Sequence, residues 1–158
     1  VNKKTNVCRI LDQQKIPYQL QEYAWDEDSL DALHVALETG NDPAHIFKTI
    51  CLTGDRTGHL VACIPAGKSI NLKTIAKISG NKKCELVPVT TLEKLTGYVR
   101  GGCSPIGMKK LFPTFIDSSA ESLEAILISA GKRGLQIRIA PMDLKQVIHG
   151  KFALITEK

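Results

Sequence analysis

Aromatic residues are scarce: one tryptophan, three tyrosines and four phenylalanines make up 5% of the 158 residues. A platform that binds single-stranded nucleic acid by stacking bases on successive rings is therefore not expected. No apolar run approaches the ~20 residues that a membrane-spanning helix needs. The polar start Val1-Asn2-Lys3-Lys4 does not resemble a signal peptide either. A soluble, cytoplasmic protein without a membrane partner is the expectation. The five cysteines, at 8, 51, 63, 84 and 103, are odd in number and include no C-x-x-C pair. With four isolated histidines they give no metal-ligand spacing, so neither a metal nor another cofactor is expected. Cys51 and Cys63 sit in apolar runs and read as small core residues of a reduced protein. The chemical motifs are missing too. Nothing matches a phosphate-binding G-x-x-x-x-G-K-[ST] loop, a dinucleotide G-x-G-x-x-G turn or a G-x-S-x-G nucleophile elbow. The acids are scattered and suggest no carboxylate pair.

What is present fits one domain over residues 1–158, since 43% hydrophobic residues in a chain of this length can build a real core. A net charge of +5 is compatible with a nucleic-acid partner without establishing one. The most unusual stretch runs from Gly97 to Lys110 and holds four glycines, Pro105 and the cations Arg100, Lys109 and Lys110. Gly101 and Gly102 remove two adjacent side chains, so main-chain groups there can reach a ligand. Two readings fit: a substrate cradle edged with positive charge, or an ordinary Gly/Pro surface loop. Composition alone favours the loop.

Along the chain, Thr5 can cap a helix over 5–14 with Val7, Ile10 and Leu11 on one period. Pro17 breaks it, and Ile16, Tyr18 and Leu20 alternate as in a strand. After an acidic loop carrying Trp25, residues 30–39 predict a helix with Leu30, Leu33 and Leu37 as its inner stripe, ended by Gly40. His34 beside that stripe reads as packed or solvated. Residues 47–53 and 59–65 predict a hairpin around Gly54-Asp55-Arg56-Thr57-Gly58. Asn71 caps a helix with Leu72, Ile75, Ala76 and Ile78 inward, amid lysines at 68, 73, 77, 82 and 83 that read equally as solvated or phosphate-contacting. Residues 84–87 predict a strand, and Thr90-Thr91-Leu92-Glu93 has capping-box spacing. Strands at 114–117, 125–129 and 135–140, a helix from Pro141 and a last strand at 152–155 follow. Ala130-Gly131-Lys132-Arg133-Gly134 is a second cationic turn between glycines. The sum is a mixed α/β domain on a curved, antiparallel or mixed sheet of at least six strands, not a doubly wound one.

Two side chains need weighing. Lys48 opens a buried strand, and either snorkels outward or points into a polar pocket; snorkelling is the default. Cys103 is the one cysteine in the glycine-rich stretch, but no base accompanies it, and a structural role is favoured over a nucleophilic one.

Phe47-Lys48-Thr49, Gly97-Tyr-Val-Arg-Gly-Gly-Cys-Ser-Pro-Ile-Gly107, Ser129-Ala-Gly-Lys-Arg-Gly134 and Ala140-Pro-Met-Asp-Leu144 occur in this order. Together they resemble the YbaK/EbsC family of free-standing aminoacyl-tRNA deacylases, related to the editing domain of bacterial prolyl-tRNA synthetases. The segment Asp31-Ala-Leu-His-Val-Ala36 is similar to the EbsC branch. The resemblance spans about Thr5 to Phe152. It implies a barrel-like sheet with surrounding helices, and hydrolysis of mischarged Cys-tRNA(Pro), with Cys-tRNA(Cys) a further substrate. Ala-tRNA(Pro) editing, or a non-catalytic tRNA- or synthetase-binding module, are the alternatives. It also implies that the substrate's own thiol attacks the ester, which would account for the missing nucleophile. Lys48 matches the family's essential lysine, and Gly101 and Gly102 match backbone groups that hold the aminoacyl moiety. Thr49, Tyr18 and Ser129 match pocket positions. Arg100, Lys109, Lys110, Lys132 and Arg133 are candidate contacts to the 3′ end of the tRNA, and a synthetase such as prolyl-tRNA synthetase is the implied partner. Gln136 stands where some members carry an acid and receives no role.

Overall fold

The computed structural model describes residues 4–158, so Val1, Asn2 and Lys3 of the polar start lie outside the described residues. Helix α1 (Asn6–Gln13) begins as expected, with Thr5 Oγ1 accepting from the Cys8 N–H and Val7, Cys8 and Leu11 buried. Strand β1 (Gln19–Glu22) precedes α2 (Ala32–Thr39), which Asp31 caps and Gly40 ends at φ 71°. The expected leucine stripe of α2 is not its inner face. Leu33 and Leu37 are 41% and 71% exposed, whereas Val35 and Ala36 are buried against Ile46, Ala66 and Leu127. Ala32, Val35 and Ala36 have helical spacing as good as that of the leucines, and the smaller stripe lets the helix lie closer to its support.

Strands β2 (Phe47–Gly54) and β3 (Gly58–Pro65) form the predicted hairpin, in register from Phe47 opposite Pro65 to Gly54 opposite Gly58. Asn81 fixes its turn by accepting from the Arg56 and Thr57 N–H groups, both at 2.9 Å. A Cβ at Gly54 would stand 2.3 Å from Asn81 Nδ2, so no side chain fits there. Helix α3 (Leu72–Ser79) is capped by Asn71 and buries Ile75 and Ala76, while Leu72 and Ile78 stay exposed. Strand β4 (Cys84–Leu86) leads to α4 (Val89–Thr96). The capping box predicted at Thr90 does not form: Pro88, with its fixed φ, takes the N-cap position two residues earlier, and Thr91 Oγ1 donates to the Pro88 carbonyl at 3.0 Å.

After the glycine-rich stretch come β5 (Thr114–Asp117), a 3-10 turn (Ser118–Ser122), β6 (Ile126–Ser129), β7 (Leu135–Ile139), α5 (Pro141–Ile148) and β8 (Lys151–Ala153). The fold is mixed α/β, but the described strands make two sheets and no closed barrel. One is antiparallel in the order β1-β7-β6. The other is mixed, in the order β4-β2-β3-β5-β8, with β5 parallel to both neighbours. Closure stops at a single parallel bridge, Ile46 to Leu127, because the chain before Ile46 turns away at Asp42–His45. Each sheet has a core. Leu11, Ile126, Ile137 and Leu144 pack beneath the first, and Leu52, Leu60, Ile64 and Ile75 beneath the second. The site lies where the sheets meet.

Candidate active site

At that junction a cavity of about 260 Å³ opens among the start of β2, the N-terminus of α2, the glycine-rich loop and the facing ends of β6 and β7. Lys48 does not snorkel: it lines the cavity, half buried, and its Nζ donates to the Ala66 carbonyl at 3.2 Å. Burial holds its pKa below the usual lysine value, opposed by the negative charge of Asp31 on the same cavity. Thr49 also lines the cavity. Its Oγ1 is buried without a hydrogen-bond partner at normal geometry. Across the ladder, burial pushes the Cys63 thiol up to about 12, against the lowering influence of the neighbouring Thr49 hydroxyl. An unpaired buried hydroxyl at a cavity wall is available to a ligand.

The glycine-rich loop is folded on itself. Thr96 Oγ1 accepts from the Tyr98 N–H at 3.0 Å, the Tyr98 hydroxyl donates to the Ile106 carbonyl, and Ser104 Oγ accepts from the Ile106 N–H at 3.2 Å. Its two central glycines do different work. Gly101, at φ 88°, lines the cavity, and neither its N–H nor its C=O is engaged by another described residue. A Cβ there would press on Leu30 at 3.0 Å. Gly102 is buried off the cavity. Its N–H donates to the Val99 carbonyl at 3.0 Å, and a Cβ would meet the Arg133 nitrogen at 3.1 Å. Gly102 therefore lets the loop pack on the 130–134 turn rather than presenting itself to a ligand.

Arg133 ties the rim together. Its Nε donates to the Arg100 carbonyl at 2.8 Å, and its guanidinium stands 5.4 Å from the centre of the Trp25 ring. Arg100 and Ser129 both line the cavity, and Ser129 Oγ accepts from the Gly131 N–H at 3.1 Å. Gln136 is buried at the cavity, with Nε2 donating to Gln21 Oε1 at 3.0 Å. Cys103 lines it as well; contact with Cys51 and burial hold its thiol protonated, which disfavours it as a nucleophile.

Other expected residues lie elsewhere. Tyr18 is not on the cavity: its hydroxyl donates to Asp12 Oδ1 at 3.0 Å, and burial together with that contact raises its pKa. The tyrosine at the cavity is Tyr23, whose N–H donates to the Gly134 carbonyl at 2.9 Å. The alternation of Ile16, Tyr18 and Leu20 does not reveal this, because Tyr23 follows the last residue of β1 and is placed by its bond to the 130–134 turn. Lys109 Nζ donates to the Lys94 carbonyl at 3.3 Å, Lys110 borders a separate hollow near Phe112, and Lys132 borders a third beside Arg9. The cations are dispersed. Among the described residues no group of three or more potential metal ligands gathers, and no helix is long and apolar enough to cross a membrane.

A domain with this fold and this cavity belongs to the aminoacyl-tRNA editing domain family, whose model matches residues 26–147. Aminoacyl-tRNA is thus the substrate class. Among individual relatives, the chain is 49% identical over 156 residues to EbsC of Enterococcus faecalis, a proposed Cys-tRNA(Pro)/Cys-tRNA(Cys) deacylase; the match covers 99% of this chain and 95% of the relative. The fold is shared with a crystal structure of a proposed trans-editing enzyme for prolyl-tRNA synthetase, at a TM-score of 0.82 and 17% identity over 98% of this chain and 99% of that one. It is shared equally with a crystal structure of a hypothetical protein, at 0.87 and 19% over 97% and 100%.

Proposed function

We propose that the protein hydrolyses the ester of mischarged Cys-tRNA(Pro), and of Cys-tRNA(Cys), with the substrate's thiol as nucleophile. The observation that carries this reading is a cavity that offers a lysine and a bare glycine backbone but no activated nucleophile. The cysteinyl Sγ attacks its own ester carbonyl carbon. A C–S bond forms, the C–O bond to the terminal ribose breaks, and the thiol proton ends on the ribose oxygen. The cyclic thiolactone that leaves is opened by water to free cysteine. Holding the thiol over the carbonyl supplies the proximity. The Lys48 ammonium and the Gly101 N–H offset the negative charge that develops on the carbonyl oxygen. Thr49 and Ser129 bind the aminoacyl end, with Tyr23 beside them, while Gly102 lets the loop pack behind the site and Tyr18, off the cavity, takes no direct part. Arg100 and Arg133 meet the terminal phosphates, and Lys109, Lys110 and Lys132 add diffuse attraction. Prolyl-tRNA synthetase or another synthetase supplies the tRNA specificity, which places the reaction in the cytoplasm.

The test is deacylation of Cys-, Ala- and Ser-tRNA(Pro) side by side by the wild type and Lys48→Ala. Cys-tRNA(Pro) is expected to be cleaved fastest, Ser-tRNA(Pro) poorly, and none by the variant. Fast cleavage of Ser-tRNA(Pro) would sink the thiol mechanism. Faster cleavage of Ala-tRNA(Pro) would make the protein an alanyl editor, and tRNA binding without ester loss a non-catalytic module.

A further inference from the structure

Among the described residues Asp31 is the only acid lining the cavity, against two cations, Lys48 and Arg100. The fold uses its side chain once: Oδ2 accepts from the His34 N–H at 3.3 Å and caps α2. A cap needs an acceptor oxygen, not a charge, and asparagine or serine serves as well. Among the described residues Asp31 belongs to no ion pair of 4.0 Å or shorter, so neither cation neutralises it by contact. Its negative charge complements the N-terminus of α2 without being required for the cap, and it acts on Lys48 across the cavity rather than through an ion pair, so its oxygens remain open to a cationic ligand. The carboxylate is also firmly placed, because Val35 and Ala36, one turn on, seat α2 against Ile46 and Leu127.

The end of a charged tRNA brings one positive group into such a cavity. That group is the protonated α-amino group, two bonds from the ester carbonyl carbon; its other charges are negative phosphates. We infer that Asp31 is the receptor for the substrate's α-ammonium, so that the protein demands a free α-amino group and rejects N-acylated aminoacyl-tRNA. This rests on the deacylase reading above. Lys48, Gly101 and Arg100 then serve the ester and phosphates, Asp31 the amine, and the two signs of charge fix which way round the aminoacyl group lies.

The probe is 3′-(L-cysteinyl)amino-3′-deoxyadenosine, whose amide replaces the labile ester, beside its N-acetyl form. For the wild type, acetylation is expected to weaken binding about tenfold or more, the size of one charge-assisted hydrogen bond. Asp31→Asn keeps the cap, so its melting temperature holds, but it should bind the two analogues within about twofold of each other. A penalty for acetylation that is equal in both proteins, or absent in the wild type, overturns the inference, as does a wild type that binds neither. Cys-tRNA(Pro) and N-acetyl-Cys-tRNA(Pro) should show the same pattern in kcat/KM. If neither is cleaved while the analogues are still discriminated, the deacylase reading fails and the ammonium receptor stands.

Discussion

A half-buried lysine at the start of a core strand is a liability to folding. Burial depresses the Lys48 pKa below the ordinary 10.5, so the folded chain binds that proton less tightly than the unfolded one. The penalty is fully present at neutral pH and is relieved as pH rises through the folded pKa towards 10.5. Lys48→Met should therefore reduce deacylation by on the order of 100-fold or more, yet melt at or above the wild-type temperature at pH 7. That margin should shrink in melts taken at increasingly alkaline pH. Thr49 poses a related question. Its unpartnered hydroxyl predicts that Thr49→Val gains about 1 kcal/mol in urea unfolding while KM rises, if the hydroxyl is kept for the substrate. Cys103→Ala should keep turnover, because a thiol held protonated beside Cys51 has no part in the reaction.

At the level of elements, the β2–β3 hairpin carries Lys48 at one end and its turn at the other, six residues or roughly 20 Å along the strand. Asn81 is buried and bonds the Arg56 and Thr57 N–H groups, Thr57 Oγ1 and Ser79 Oγ. Asn81→Ala should cost about 2–4 kcal/mol of stability, as several buried bonds go unmade. Deacylation well below the melting temperature should change little, and finding the reverse would mean that the turn reaches the site. The hairpin itself was legible, since alternation and two bracketing glycines identify it from residues 47–65 alone. Asn81 was not, because a side chain reaching back across 24 residues leaves no local pattern. For α2, two apolar stripes of equal helical spacing compete, and only the distant partners Ile46, Ala66 and Leu127 decide for Val35 and Ala36. The same limit separates Gly101 from Gly102. Adjacent in sequence and alike in type, they differ only because the 130–134 turn packs against one of them.

Across the whole molecule, the individual cations were readable but their dispersal was not. Arg100 and Lys48 share the cavity, whereas Lys109, Lys110 and Lys132 border other parts of the surface. With these candidate contacts spread over separate parts of the surface, affinity for uncharged tRNA(Pro) should fall in the non-specific range, with a Kd of about 10⁻⁴–10⁻⁶ M that weakens further with salt. Adding prolyl-tRNA synthetase should tighten retention of the protein on tRNA in a titration, and no change would argue against that partner. The Arg133 tie has an optical consequence. The chain has a single tryptophan, and the guanidinium beside its ring also holds the carbonyl of Arg100 at the cavity mouth. Movement of the glycine-rich loop thus alters the surroundings of the one indole, and entry of a ligand can be followed through its fluorescence without a label.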